Sequence, residues 1–78
     1  MAIRFSRHSR RQMKWRRISE DEVAKVLAAP DRTEQSIEQR KNVYKLINGR
    51  LLKVTYTEEG SDVIIITVID KTGRRERT

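Results

Sequence analysis

Apolar residues recur at helical spacing in the first third of the chain and alternate with polar ones in its second half. Residues 2–5 read as a short apolar lead-in or edge strand. Ser6 is placed to cap a helix over residues 7–17, its hydroxyl accepting a backbone N–H that the first turn leaves unpaired. On a helical wheel Ser9, Gln12, Met13 and Arg16 share one side, and His8, Arg11 and Trp15 gather on a flanking side. Met13 is the one clear core anchor, with the Arg16 stem able to lie along apolar surface.

The second helix has the fuller set of signals. Ile18-Ser19-Glu20-Asp21-Glu22-Val23 combines a capping box, Ser19 with Glu22, and a hydrophobic staple, Ile18 with Val23. Acids fill the first turn, where they complement the helix dipole. Val23, Val26 and Leu27 form the i, i+3, i+4 stripe, and Pro30 stops the helix by forcing Ala29 out of helical geometry. Two antiparallel helices joined near Ile18 follow from this.

Residues 31–41 are polar apart from Ile37 and read as a connection with a short edge strand at 32–35. Asn48-Gly49 between residues 43–47 and 50–56 is a hairpin signal, since both turn positions must tolerate positive φ. A two-residue turn pairs Ile47 with Arg50, Lys45 with Leu52 and Val43 with Val54. Residues 58–61 make the next turn, and residues 63–69 a last β-branched strand. In that register Val43, Ile47, Leu52, Val54, Tyr56, Val63 and Ile65 share the face assigned to the helices. Tyr44, Leu46, Leu51, Lys53, Thr55, Ile64, Ile66 and Val68 fall on the other, which is too apolar to be left wholly to water. It reads as a groove, a homodimer contact or a partner site. The expected fold is α+β: two N-terminal antiparallel helices packed on one face of a three- to four-stranded antiparallel β-meander. It forms a single domain over residues 1–78, with a flexible basic tail at 71–78.

Composition sharpens the picture. With 78 residues and no cysteine, the core is thin and has no disulfide to staple it. A single His without Cys excludes a conventional zinc site, and neither a metal nor a cofactor is expected. The longest apolar stretch, 63–69, is far too short to span a membrane, and no signal-peptide core follows the N-terminal arginines. A soluble, cytoplasmic protein is the expectation.

Net charge is +7, and its distribution matters more than its size. Up to Arg17 there are seven basic residues and no acid, so the other eleven basic residues balance the eleven acids. A field localised in this way attracts polyanions. RNA, DNA or the ribosome rank first as partner, an acidic protein second and an anionic membrane surface third; a merely solvated helix face is the plain alternative. Arg7, Arg10, Arg11, Lys14, Arg17 and Arg50 are the candidate phosphate ligands. Arginines grip phosphates with two parallel hydrogen bonds, and an aromatic set among them, Trp15, can stack on an unpaired base. Trp15 equally suits closing one edge of the core.

Metal-independent RNA cleavage would need a base for the 2′-hydroxyl, cations for the phosphate and an acid for the leaving oxygen. His8, Lys53 and Tyr44 are the catalytic candidates, with Tyr56 as a core residue carrying its hydroxyl at the rim. No spacing ties them into one site. His8 also suits a helix-start role, bonded to backbone or to a carboxylate.

The run Phe5-Ser6-Arg7-His8-Ser9-Arg10-Arg11-Gln12-Met13, then Arg16, Ile18-Ser19, Val23, Leu27 and Pro30-Asp31, resembles a family of small uncharacterised bacterial domains. Their first helix reads His-Ala-x-x-Arg-Met-x-x-Arg-Gly-Ile-Ser. The resemblance continues through Tyr44-Lys45, Gly49-Arg50, Val54-Thr55-Tyr56 and Ile66-Thr67-Val68. Here Ser9 stands in place of Ala, Gln12 of Arg and Arg17 of Gly, with Trp15 at a usually polar position. In element order that family resembles the RelE/ParE-type toxins of toxin–antitoxin pairs. The resemblance implies a RelE/ParE-like fold, action on RNA or the ribosome, and an antitoxin-like protein partner; a non-catalytic module binding nucleic acid or an acidic protein is the alternative.

Overall fold

The computed structural model describes residues 2–72. In chain order the elements are β1 (Ile3–Phe5), α1 (Arg7–Arg16), α2 (Glu20–Ala28), β2 (Arg32–Gln35), β3 (Lys41–Ile47), β4 (Arg50–Glu59) and β5 (Asp62–Asp70). The fold is α+β, with two helices and one five-stranded sheet in the order β1-β5-β4-β3-β2. The sheet is mixed, which corrects the expectation of an antiparallel meander of three to four strands. β1 runs parallel to β5, Ile3 opposite Val63 and Phe5 opposite Ile65. Turn chemistry announces antiparallel neighbours, whereas a three-residue lead-in carries no signal for pairing with the far end of the chain. Two bonds fix it there, Val63 N–H to the Ala2 carbonyl (2.8 Å) and Ser6 N–H to that of Ile65 (3.0 Å).

Local chemistry sets the helix ends. The Ser6 hydroxyl accepts from Ser9 N–H at 3.0 Å. The capping box of α2 is closed in both directions, and Ile18 and Val23 of its staple are both buried. α1 ends at Arg17, which adopts the left-handed conformation (φ 58°, ψ 49°) that glycine takes most cheaply. Ile18 N–H then donates to the Met13 carbonyl (2.9 Å), satisfying part of the last turn.

The first hairpin keeps the expected register, with Ile47 opposite Arg50, Lys45 opposite Leu52 and Val43 opposite Val54. Asn48 (φ 52°) and Gly49 (φ 83°) supply the two positive-φ turn positions. β4 and β5 extend closer to their turn than expected, with Glu59 opposite Asp62. Between Thr55 and Tyr56 the β4–β5 ladder slips: Thr55 faces Thr67 and Tyr56 faces Ile65, so Ile66 has no partner. One extra residue reverses the alternation beyond it. Val68, expected on the open face, is therefore fully buried opposite Val54. The core joins Met13, Ile18, Val23 and Val26 to Val43, Leu52, Val54, Ile65 and Val68 on one side of the sheet.

Lys71 and Thr72 do not belong to a loose tail. Lys71 N–H donates to the Leu51 carbonyl (2.9 Å), and Leu51 N–H donates to the Thr72 hydroxyl (2.6 Å). Arg74, Arg75 and Arg77 of the expected basic tail lie outside the described residues.

Candidate nucleic-acid interface

α1 buries only Ser9 and Met13. The Ser9 hydroxyl donates to the Ser6 carbonyl (2.8 Å), so a polar residue sits in the core satisfied by its own helix. With that side spent on packing, Arg7, His8, Arg10, Arg11, Lys14 and Trp15 are left in solvent, and Arg17 follows on the cap. Trp15 is 80% exposed. It does not close an edge of the core, and water contact on so large an apolar ring is the costliest exposure on this helix.

The cations differ in what they touch. Arg10 is paired with Glu20 at 3.0 Å and lies over the Phe5 ring, 5.0 Å from its centroid. Arg16 lies over Trp15 at 5.5 Å, and its buried Nε lacks a hydrogen-bond partner among the described residues. Arg7, Arg11, Lys14 and Arg17 have no carboxylate partner among the described residues. Lys14 and Arg16 also occupy the last turn, where positive charge suits the helix dipole. His8, Arg11, Gln12 and Trp15 line a shallow hollow of about 220 Å³ along the flank of α1. Three of them were expected together. The fourth, Gln12, reaches β5 and accepts the Val68 N–H at 2.9 Å; its place on the inner side of the helix was legible, its acceptor role at the bulged strand was not.

Arg50 was expected among the phosphate ligands, and its guanidinium is turned inward. It donates to the carbonyls of Arg16 (3.1 Å) and Arg17 (3.3 Å) and to Glu22. The Ser19 N–H, donating to Glu22, holds that carboxyl below its usual range, and Arg50 adds to the effect.

The open sheet face carries the other candidates. Arg32, Tyr44, Lys53 and Ile69 form one row across β2, β3, β4 and β5. Tyr44 is 8% exposed because cations surround its ring: Arg32 at 4.7 Å, Lys71 at 5.7 Å and Lys53 at 6.0 Å from the centroid. Its hydroxyl donates to Glu34 at 2.8 Å. Burial, then that bond, push the phenol above its ordinary value. Hydrogen bonds from Arg32 first and Tyr44 second hold the Glu34 carboxyl down. Arg32 and Lys71 were not expected here, and nothing in the period of the sequence points to Lys71. Leu46 on this face is 61% exposed. Tyr56 lies with Ile3, Leu27, Val63 and Glu58 around a separate apolar hollow of about 320 Å³.

The three catalytic candidates thus divide. Lys53 and Tyr44 are cross-strand partners on the open face, whereas His8 stands on α1, which packs against the other face. No group of His, Cys, Asp and Glu among the described residues is arranged to hold a metal ion, and among them no helix is long and apolar enough to cross a membrane.

The fold and this surface define a small α+β domain with a mixed sheet and a basic, aromatic-bearing helix. The chain belongs to the family described as a domain of unknown function (DUF4258), whose model matches residues 5–70. No curated protein and no solved structure matches it.

Proposed function

We propose that this domain binds single-stranded RNA, free or within the ribosome, through the outer side of α1. The observation that carries this reading is Trp15, 80% exposed among cations that lack carboxylate partners within the described residues. Basic side chains supply a sequence-independent grip on the backbone, and the indole supplies a platform for an unpaired base. Duplex DNA suits the surface less: two helices followed directly by sheet strands lack the third helix of the usual helix-turn-helix domains that read the major groove.

Trp15 is the chain's only tryptophan, so its fluorescence reports the proposed contact directly. Titration with a single-stranded ribo-oligomer should quench it, and a duplex of the same length should do so less. Affinity should fall with rising salt, with a log–log slope of about 0.7 per phosphate contacted. Charge reversal of Arg7, Arg11 and Lys14 together should abolish binding. An unquenched indole at low salt, or binding indifferent to those reversals, would sink the proposal.

A toxin-type domain with a RelE/ParE-like fold, acting on RNA or the ribosome, is the second reading. The order strand, helix, helix, then strands favours it, although likeness of fold transfers no activity. The separation of His8 from Lys53 and Tyr44 counts against a catalytic trio. Growth arrest on expression, together with cleavage of RNA by the purified protein, would select this reading, and the open sheet face would then be the place for an antitoxin-like segment or a second copy.

A further inference from the structure

The hollow on the flank of α1 has a directional chemistry, set by a single hydrogen bond. Gln12 accepts the Val68 N–H through its side-chain oxygen at 2.9 Å. A backbone N–H only donates, so the amide is held one way round, with Oε1 at Val68 and the NH2 group turned from it. Among the described residues that NH2 group donates to no acceptor, yet Gln12 lines the hollow together with Arg11, His8 and Trp15. Arg11 adds a fork of donors and has no acceptor of its own. Two donor side chains and an aromatic platform therefore meet in one place, and with the Gln12 oxygen engaged by Val68, His8 is the one other lining side chain with an acceptor.

Such a lining discriminates between base edges. On the major-groove edge guanine shows two adjacent acceptors, O6 and N7, and uracil shows its O4 carbonyl where cytosine shows an amino donor; adenine sets an amino donor beside N7. An amino group facing Gln12 and Arg11 would leave donors opposed to donors. We propose that this hollow takes one unpaired nucleobase stacked on Trp15 and selects the keto bases, uracil and guanine, over the amino bases, adenine and cytosine. The proposal rests on the RNA-binding reading above and adds to it a substrate preference and a residue, Gln12, that reads it.

The test is titration of Trp15 fluorescence at fixed salt with oligouridylate, oligocytidylate, oligoadenylate and a mixed guanine–uracil strand. Uracil and cytosine share one ring size, so their ratio reports the edge and not the stacking. The wild-type chain should favour oligouridylate over oligocytidylate by on the order of tenfold. Gln12→Glu keeps an oxygen for Val68 N–H but removes the donor, so the ratio should fall toward unity while every affinity drops from the added negative charge. Arg11→Lys keeps charge but loses the planar fork, leaves the Val68 bond untouched, and should also lower the ratio; it stands in should Gln12→Glu fail to fold by circular dichroism. Equal affinities for all strands with strong quenching would overturn the base preference and leave RNA binding standing. Failure of every strand to bind would overturn the reading beneath it. A ratio unchanged in both variants would remove Gln12 and Arg11 as readers and overturn the proposal.

Discussion

Arg50 Nη2 lies 3.0 Å from Oε2 and 3.2 Å from Oε1 of Glu22, a contact between the start of β4 and the first turn of α2. The same guanidinium takes the last carbonyls of α1, which helix geometry leaves unpaired, and approaches Asp70 at 3.9 Å. One side chain just after the hairpin turn thus ties together the end of α1, the start of α2 and the end of β5. Arg50→Met keeps the stem and removes these bonds, and should lower stability in urea unfolding by about 2 kcal/mol. RNA affinity should be unchanged under conditions where the variant is folded, because the guanidinium is spent inside the fold.

Acid should unfold the domain partly through the same pair. Glu22 is held below its usual carboxylate value, by the Ser19 N–H first and also by Arg50. Its folded value therefore lies below its unfolded one. The stability linked to its charge is complete above the unfolded value and is lost as pH falls toward the folded one. Urea midpoints measured from neutral pH downward should fall through the carboxylate range. Glu22→Gln, which retains an acceptor for Ser19 N–H but carries no charge, should start lower and fall less steeply.

The sheet shows where sequence reasoning succeeds and where it stops. Asn48-Gly49 fixes φ at both turn positions, and the pairing of Val43 with Val54 follows from it. Likewise the capping box and staple of α2 are local devices, readable from residues a few positions apart. Val68 depends on an event of a different kind. Nothing in Ile64-Ile65-Ile66-Thr67-Val68 marks Ile66 as the unpaired residue, because five β-branched residues in a row satisfy either phase of the alternation. Charge around α1 is legible as a cluster in sequence, but its division into Arg10, paired with Glu20, and Arg11, without a carboxylate partner among the described residues, depends on where Glu20 falls in space.

Val68→Thr tests the bulge directly. The two side chains are nearly isosteric, so on a solvated face the change is close to neutral. In the core it places an extra hydroxyl beside Val54, and a buried hydroxyl without a partner costs about 1–3 kcal/mol. Chemical unfolding of the variant should show a loss in that range.

Tyr44 should mark the alkaline limit of the open face. Burial first, then its bond to Glu34, raise its phenol above the ordinary value. For an acid whose folded value is raised, the associated stability is present below the unfolded value and is lost as pH rises toward the folded one. Absorbance titration should show Tyr44 forming its phenolate above the ordinary value, and Tyr44→Phe should remove that phase. The same variant should lose part of its alkaline destabilisation.

Arg17 sets stability against charge at a single position. Its left-handed backbone (φ 58°) costs a residue with a Cβ about 1–2 kcal/mol, which glycine avoids while losing part of the gain to its own greater entropy in the unfolded chain. Arg17→Gly preserves the carbonyl that Arg50 uses, so urea unfolding should show a gain of roughly 0.5–1 kcal/mol. It also removes a cation without a carboxylate partner among the described residues. Should that guanidinium contact RNA, the salt dependence of binding should flatten by about 0.7 in log–log slope. Opposite movement of the two readouts, stability up and affinity down, would place Arg17 in the interface as a residue held in a strained conformation for the sake of its charge. A gain in stability with an unchanged salt slope would confine the interface to Arg7, Arg11, Lys14 and Trp15.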